Sequence, residues 1–320
     1  MISVVIPTVG RRDSVLRALD ALARQDIPPE EFEVIVSVDG PDDDTIQALE
    51  SYRAPYALHV VTGPRRGRAA ACNAAIERAT GDVLVILDDD MEPAPGCLRN
   101  HRSHHESDAK VCVMGGVPIR AGRHSPSATR YIAWKFDRHL AKLAQPGHEF
   151  ALRDFYSGNT SLQREVLVSA GGYDAAYTLY GNEDLELSLR LRAAGVLLVY
   201  DGDALAHQHY EKDLRGLVRD TVEKGKTAVL LARSHPDAFD QLQLARYDET
   251  WPAWRVVRGL LLRWRGVSAA VLLGARLIER TPAARPLFYV LLLDYFYWVG
   301  VQAELAADLR HGPIRLLLHR

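Results

Sequence analysis

The chain has 320 residues, with 39 Lys+Arg against 41 Asp+Glu, 25% charged and 48% hydrophobic, which is the profile of a folded globular protein and excludes a disordered or fibrous one. A net charge of −2 argues against nucleic acid as the main partner. Three cysteines, Cys72, Cys97 and Cys112, form no Cys-x-x-Cys pair, which speaks against a disulfide framework and for a reducing compartment.

Met1 leads straight into Ile2-Ser3-Val4-Val5-Ile6 without the basic region and apolar core of a secretory signal. The expectation is a mature chain that starts here and works in the cytoplasm. Residues 2–6 read as a buried strand, and Asp13 is expected to cap a helix whose Val15, Leu16, Leu19, Leu22 and Ala23 share one face. Further strands are expected at 32–38, 58–62 and 83–87, with helical patterns at 45–51 and 69–79 between them. Strand, helix, strand at this spacing predicts a parallel, doubly wound sheet. In such sheets ligands bind beyond the carboxyl ends of the strands. The residues there are Pro7-Thr8-Val9-Gly10, Asp39-Gly40-Pro41, residues 63–68 and Asp88-Asp89-Asp90.

A second block, roughly 110 to 210, holds an apolar strand at 111–114, a helical pattern at 131–144, a Gly-rich stretch from 158 to 181 and a strand at 196–200. His101, His104 and His105 fall in a polar helical stretch and read as a solvated face. From 211 onward the pattern is helical, giving two regions, 1–210 and 211–320. No internal repeat or low-complexity tract is present.

The aspartate triplet follows the apolar run Val83-Leu84-Val85-Ile86-Leu87, so three like charges meet at the mouth of the sheet. A divalent cation resolves their repulsion, because Mg²⁺ and Mn²⁺ prefer oxygen ligands and bind through one or two carboxylates together with substrate phosphates. The competing reading is an acidic turn that caps the next helix. Residues 181–195 have leucines alternating as in a strand, but the ends read as a helix: Asn182 as N-cap, acids in the first turn, arginines in the last and Gly195 as terminator. Asp184 then sits where the helix dipole favours its ionised form. That suits a general base, or a carboxylate that merely stabilises the helix.

Together these segments resemble the family 2 glycosyltransferases, the inverting, nucleotide-sugar-dependent enzymes of GT-A fold. The resemblance runs from Ile2 to about Tyr210. It rests on Val4-Val5-Ile6-Pro7-Thr8, Val38-Asp39-Gly40, residues 67–73 leading into Ala79-Thr80-Gly81-Asp82, Leu87-Asp88-Asp89-Asp90, Ser157-Gly158-Asn159, Gly171-Gly172-Tyr173-Asp174 and Glu183-Asp184. It implies an α/β GT-A catalytic domain over 1–210. By position, Pro7, Thr8 and Asp39 would hold the base and ribose, with Arg68 near the base or phosphates. Asp88 and Asp89 would lie against the ribose and the metal shell, and Asp90 would bind the Mn²⁺ or Mg²⁺. Asp184 would be the catalytic base, with Glu183 beside it contacting acceptor or donor, and Gly158 and Asn159 would line the sugar pocket. One histidine of His207-Gln208-His209 would join Asp90 on the metal, with His207 favoured. Cys72 departs from the family's frequent Ala-Arg-Asn, which removes a basic contact there.

The resemblance further implies a nucleoside-diphosphate sugar donor, UDP-linked by the family's habit, and a glycan or lipid-linked acceptor of the kind met in cell-envelope polysaccharide synthesis. Arg263-Trp264 lacks the glutamine of the Gln-x-x-Arg-Trp signature of membrane-embedded synthases, which favours single addition over processive synthesis. Two rival readings use the same fold: a sugar-nucleotide pyrophosphorylase, for which Pro7-Thr8-Val9-Gly10-Arg11-Arg12 is a poor loop, and a non-catalytic nucleotide-sugar-binding protein. Substrate choice is expected to lie in loops 117–160 and 173–181.

Residues 251–320 carry ten arginines against four acids, a net of +6, whereas residues 1–250 carry 29 bases against 37 acids, a net of −8. The apolar stretches 256–278 and 286–303 are interrupted by Arg258, Arg263, Arg265 and Arg276 in one and Asp294 and Gln302 in the other, so neither reads as a spanning helix. Two readings stand: helices lying on the inner face of an anionic membrane, or a helical subdomain packed on the core or against a second subunit.

Overall fold

A computed structural model describes residues 1–40, 44–107, 110–210, 212–264, 266–281 and 285–308. Pro41, Arg265, Arg310, Arg315 and Arg320 lie outside these residues. Among those described, contacts divide the chain into two compact units. The first comprises Met1–His124, Ile132–Thr178 and Glu183–Glu211. The second comprises Ser125–Tyr131, Leu179–Asn182 and the described chain from Lys212 on.

The first unit begins with β1 (Ile2–Thr8), β2 (Phe32–Asp39), β3 (Ala57–Gly63) and β4 (Val83–Leu87). β1, β2 and β4 are buried throughout and rich in Val, Ile and Leu, as strands covered on both faces of a parallel sheet should be. Between them run α1 (Arg12–Leu22), α2 (Asp44–Ser51) and α3 (Arg68–Arg78). Alternation along the strands sends Ile2, Val4, Ile6, Val34, Val36, Val85 and Leu87 to one face, where they meet Val15, Leu19 and Leu22 of α1. The intervening residues face α3, whose Ala69, Ala71, Cys72 and Ala75 are small enough for close packing. Asp13 is not the N-cap of α1. That position is Arg11, with no side-chain bond to the helix, and Asp13 lies in the first turn.

The chain continues through β5 (Met91–Pro93), α4 (Cys97–Ser103), β6 (Val111–Gly115), β7 (Asn159–Gln163), α6 (Arg164–Ser169), α7 (Glu183–Ala193), β8 (Leu197–Asp201) and β9 (Ala206–Gln208), with α5 (Ser127–Leu143) between β6 and β7. The sheet has seven strands in the order β3-β2-β1-β4-β7-β6-β8. β7 is antiparallel to both neighbours and the other pairs are parallel. β5 and β9 form a separate antiparallel ribbon, with Glu92 opposite His207.

β7 reads Asn-Thr-Ser-Leu-Gln and yet is buried, because its polar groups pair internally. His101 of α4 is fully buried and joins Ser161 Oγ at 2.8 Å and Asn159 Oδ1 at 2.9 Å. His105 joins Ser161 at 2.8 Å, and His104 joins Asp201 at 2.8 Å. The solvated histidine face expected from the sequence is thus a polar seam beneath the sheet. Burial pushes the His101 imidazole down to about 4, so it serves as a neutral hydrogen-bonding ring.

In the second unit, α8 (Leu214–Ser234) is capped by Asp213, whose Oδ1 accepts from Gly216 N–H at 2.7 Å. It packs on α11 (Pro286–Asp308) at very close range. A Cβ on Gly225 would meet the Tyr297 carbonyl oxygen at 2.1 Å, and one on Gly300 the Val222 carbonyl oxygen at 2.0 Å. Residues Pro286–Ala307 have the length and apolar composition of a membrane span, but Tyr289, Leu292, Tyr295, Phe296, Trp298 and Val301 of this helix are buried inside the protein. α9 (Pro252–Leu262) and α10 (Val267–Glu279) complete the unit. Arg258, one of the arginines that interrupt the apolar stretch 256–278, is fully buried. It bonds Asp294 at 2.8 Å and the Tyr247 carbonyl at 2.6 Å, and lies over the rings of Tyr247 and Trp298. Trp254 Nε1 donates to the same Asp294 at 2.7 Å.

Candidate active site

The carboxyl ends of β1, β2 and β4 bring their loops to one side of the sheet, as their parallel register requires. Asp88, Asp89 and Asp90 leave β4 there, and the latter two share Arg11. Asp88 Oδ1 accepts from Arg68 Nε at 3.0 Å and Nη2 at 2.8 Å. Asp89 accepts from Thr8 Oγ1 at 2.7 Å and from Arg11 Nη1 at 2.7 Å. Asp90 accepts from Arg11 Nη2 and Gln208 Nε2, both at 3.3 Å. Pro7 is buried one residue ahead of Thr8 in β1.

Arg68 opens α3 and reaches two acidic groups from far-separated segments. Its Nη1 lies 3.7 Å from Glu183 Oε1, its Nη2 donates to the Ser157 carbonyl at 3.2 Å, and its guanidinium sits over the Tyr173 ring at 5.6 Å. Tyr173 is held from the same helix: Asn73 accepts from the Tyr173 N–H at 2.8 Å and donates to its carbonyl at 2.7 Å. Gly172 is required at this clamp, because its φ is +66° and a Cβ would stand 2.8 Å from Asn73 Oδ1. Cys72 on α3 is buried, and burial pushes its thiol up to about 12, so it is a packing group.

Asp184 lies in the first turn of α7 and is half-buried, with Oδ1 accepting from the Leu185 N–H at 2.8 Å. Asn182, the expected cap, has φ +69° and gives its amide to the Lys224 carbonyl and Thr227 Oγ1. Burial, then the adjacent Asp184, raise the Glu183 carboxyl above its ordinary range against the pull of Arg68. One oxygen of Glu183 and one nitrogen of Arg68 are buried without a hydrogen-bond partner.

Several expected residues are placed differently. Asn159 does not face a ligand pocket. It is fully buried, with Oδ1 on His101 and Nδ2 donating to Ala204 O at 2.8 Å. Gly158 does adjoin the acids: its carbonyl accepts from the Asp88 N–H at 2.9 Å, and a Cβ there would meet Asp88 Oδ2 at 2.6 Å. Both oxygens of Asp39 hold backbone, accepting from Arg66 and Gly67 N–H at 2.8 Å each and shaping the turn into α3. His207 is not beside Asp90. Residues 207 and 209 share a strand face, so the residue between them, Gln208, takes the position at Asp90. His209 bonds Glu92 at 2.6 Å, and the charged neighbours of His207 are Arg120, Glu92 and His209. Arg11 and Gln208 were not among the expected site residues. Arg11 offered the sequence only its position in the loop after β1, because its partners are 78 and 79 residues away.

The triplet suits a hard cation. Burial raises the Asp89 carboxyl to about 7 against the pull of Arg11, and burial and Asp88 raise that of Asp90, so the carboxylates remain short of positive charge. Among the described residues, no three His, Cys, Asp or Glu side chains converge as a complete ligand set. One or two carboxylates completed by substrate phosphates is the way Mg²⁺ and Mn²⁺ are usually held.

Residues 3–168 match the model of "Glycosyl transferase family 2", just over half of the chain. The chain belongs to that family. Residues 138–202 also match "N-terminal domain of galactosyltransferase". Relatives with family-2 likeness include the uncharacterized glycosyltransferase YfnE of Bacillus subtilis, 25% identical over 67% of this chain and 66% of its own length. Validoxylamine A glucosyltransferase of Streptomyces hygroscopicus subsp. limoneus is 29% identical over 61% of this chain and 49% of its own. The chain therefore spans about half to two thirds of the length of these relatives. Among solved structures, mannosyltransferase PcManGT from Pyrobaculum calidifontis, in complex with GDP-Man and Mn²⁺, superposes with a TM-score of 0.61 at 21% identity, covering 96% of this chain and 87% of its own. Staphylococcus aureus TarS 1–349 in complex with UDP-GlcNAc gives 0.55 at 16% identity over 96% and 92%. These likenesses establish the GT-A fold expected for a family-2 chain.

Proposed function

We propose that this family-2 chain is an inverting, cation-dependent glycosyltransferase that moves one sugar per reaction from a nucleoside-diphosphate sugar, UDP-linked, to a hydroxyl of a glycan or lipid-linked acceptor. The observation that carries the reading is Arg68. Its guanidinium lies between Asp88 of the acid triplet and Glu183, the neighbour of Asp184, so the two halves of a transfer site are within one side chain of each other. Three buried unpaired thiols accord with a reducing, cytoplasmic setting.

The chemistry then divides between the two ends of that side chain. Asp90, with Asp88 beside it, would hold a divalent cation, which when bound would supply positive charge where the departing diphosphate becomes negative. Asp184 accepts the proton of the acceptor hydroxyl as its oxygen attacks the anomeric carbon from the face opposite the leaving group, and one displacement inverts that carbon. Glu183 and Arg68 hold Asp184 and the triplet in register. Thr8 and Arg11 fix Asp89, and Asp39 fixes the loop 66–67 against which a nucleotide would lie. A solved neighbour in complex with GDP-Man and Mn²⁺ and another in complex with UDP-GlcNAc support the cation and donor class.

The test is a thermal-shift panel of UDP, GDP, TDP and CDP with Mn²⁺, followed by product analysis with the sugar nucleotide of the nucleotide that binds. Release of nucleoside diphosphate supports transfer. Release of pyrophosphate assigns the chain to pyrophosphorylase chemistry, and binding without turnover to a non-catalytic role.

A further inference from the structure

α9 has the polarity of an ordinary surface helix turned inside out. Its one fully buried residue is an arginine, Arg258, while Val256, Val257, Leu260 and, just beyond the helix, Trp264 are exposed. With Ala253 these residues fall at i, i+3, i+4, i+7 and i+11, a single stripe on the side away from Arg258. Leu260 is 52% and Trp264 69% exposed. Neighbouring α10 repeats the pattern, with Ala270, Leu273 and Leu277 exposed at i, i+3 and i+7. Helices of soluble proteins turn such stripes inward, and contiguous exposed apolar surface marks a place where something else sits.

We infer that this face of the second unit docks on an anionic lipid bilayer, with α9 and α10 lying in the interfacial plane. Charge selects the occupant. Exposed Arg263, Arg276, Arg280 and Arg285 accompany the stripes, in a region with ten arginines against four acids. A second copy of the chain on this face would bring arginine clusters together, whereas anionic headgroups neutralise them. Trp251, 63% exposed just before α9, and Trp264 just after it place amphipathic rings at both ends of the stripe, where the headgroup layer receives them. α11 has the length and apolar composition of a span, but it sets Tyr289, Tyr295, Phe296 and Trp298 into the unit, so the proposed contact is made by α9 and α10 lying on the bilayer.

Flotation of the full-length chain with vesicles of phosphatidylcholine, with and without phosphatidylglycerol, tests the inference. The chain is expected to float with the anionic vesicles, less so at high salt, and to stay behind with phosphatidylcholine alone. The double variants Leu260→Ser/Trp264→Ser and Leu273→Ser/Leu277→Ser change exposed side chains only, so their thermal melts should match the wild type while anionic-vesicle binding falls roughly tenfold or more. Arg276→Gln/Arg280→Gln should lose the salt-sensitive part of binding. No flotation of the wild type, or variants that float as well as it does, overturns the inference. So does a wild-type dimer in light scattering that the stripe variants dissociate, since that makes a second copy the occupant. Nucleotide binding in the same variants reports separately on the transfer site.

Discussion

Asp184 and Glu183 are adjacent carboxylates placed in opposite environments. Asp184 is half-buried with one backbone hydrogen bond, while Glu183 is buried. Asp184→Asn keeps the shape and removes the carboxylate proposed as base, so kcat should fall about 10²- to 10⁴-fold with nucleotide affinity nearly unchanged; turnover assays beside calorimetric titration of the nucleotide check both halves. Glu183 predicts a pH effect of definite sign. Its folded carboxyl is raised above the reference value of 4.5. Folding therefore holds the proton more tightly than the unfolded chain does, and the stability this contributes is fully present below pH 4.5 and lost as pH rises through the folded value. Glu183→Gln, which cannot ionise, should flatten the fall in melting temperature above pH 4.5. An unchanged pH slope would show that the carboxyl is not strained by burial. The triplet, Arg68 and Asp184 stand out as candidates in the sequence because runs of like charge after a strand and acids opening a helix are local signals. Asn159, His101 and His207 lie elsewhere than expected because their partners are brought to them by tertiary pairing, which no local pattern records: Asn159 and His101 are 58 apart, and Glu92 and His207 are paired only through β5 and β9.

Among the elements, the parallel strands are the legible part, since β1, β2 and β4 are rich in Val, Ile and Leu, as strands buried on both faces should be. β5 and β9 have three residues each, too few for a period to show, and β7 is hidden by a polar sequence whose partners come from α4, His105 and the loop at Ala204. The α8–α11 crossing is similarly silent in sequence, where Gly225 and Gly300 look like two ordinary helix-weakening glycines. Gly300→Ala would drive a Cβ to 2.0 Å from a main-chain oxygen, so the helices must separate, at a cost of about 1–3 kcal/mol. Gly259→Ala, in α9 with nothing within 4 Å of the new methyl, should instead gain about 0.5–1 kcal/mol. Chemical denaturation of the two variants side by side reads the contrast, and equal effects would show that the close crossing carries no energetic weight.

For the whole molecule, cation and nucleotide should act as one ligand, because the triplet offers only part of a coordination sphere. Nucleotide with Mn²⁺ at a hundredfold excess over Kd should stabilise the fold by about 2.7 kcal/mol, and a chelator should remove both that gain and turnover. Stabilisation and turnover that survive chelation would show that the acids work without a metal. The charge division between residues 1–250 and 251–320 is plain in the sequence, but not the use made of it: Arg258, one of the ten arginines of the basic region, is buried. Its position sets a rule for anyone shortening the gene. Asp294, the carboxylate that Arg258 answers, arrives 36 residues later on α11. An expression product ending between them would strand a guanidinium among aromatic rings and bare the contact surface of α8, so such fragments should be recovered as insoluble material.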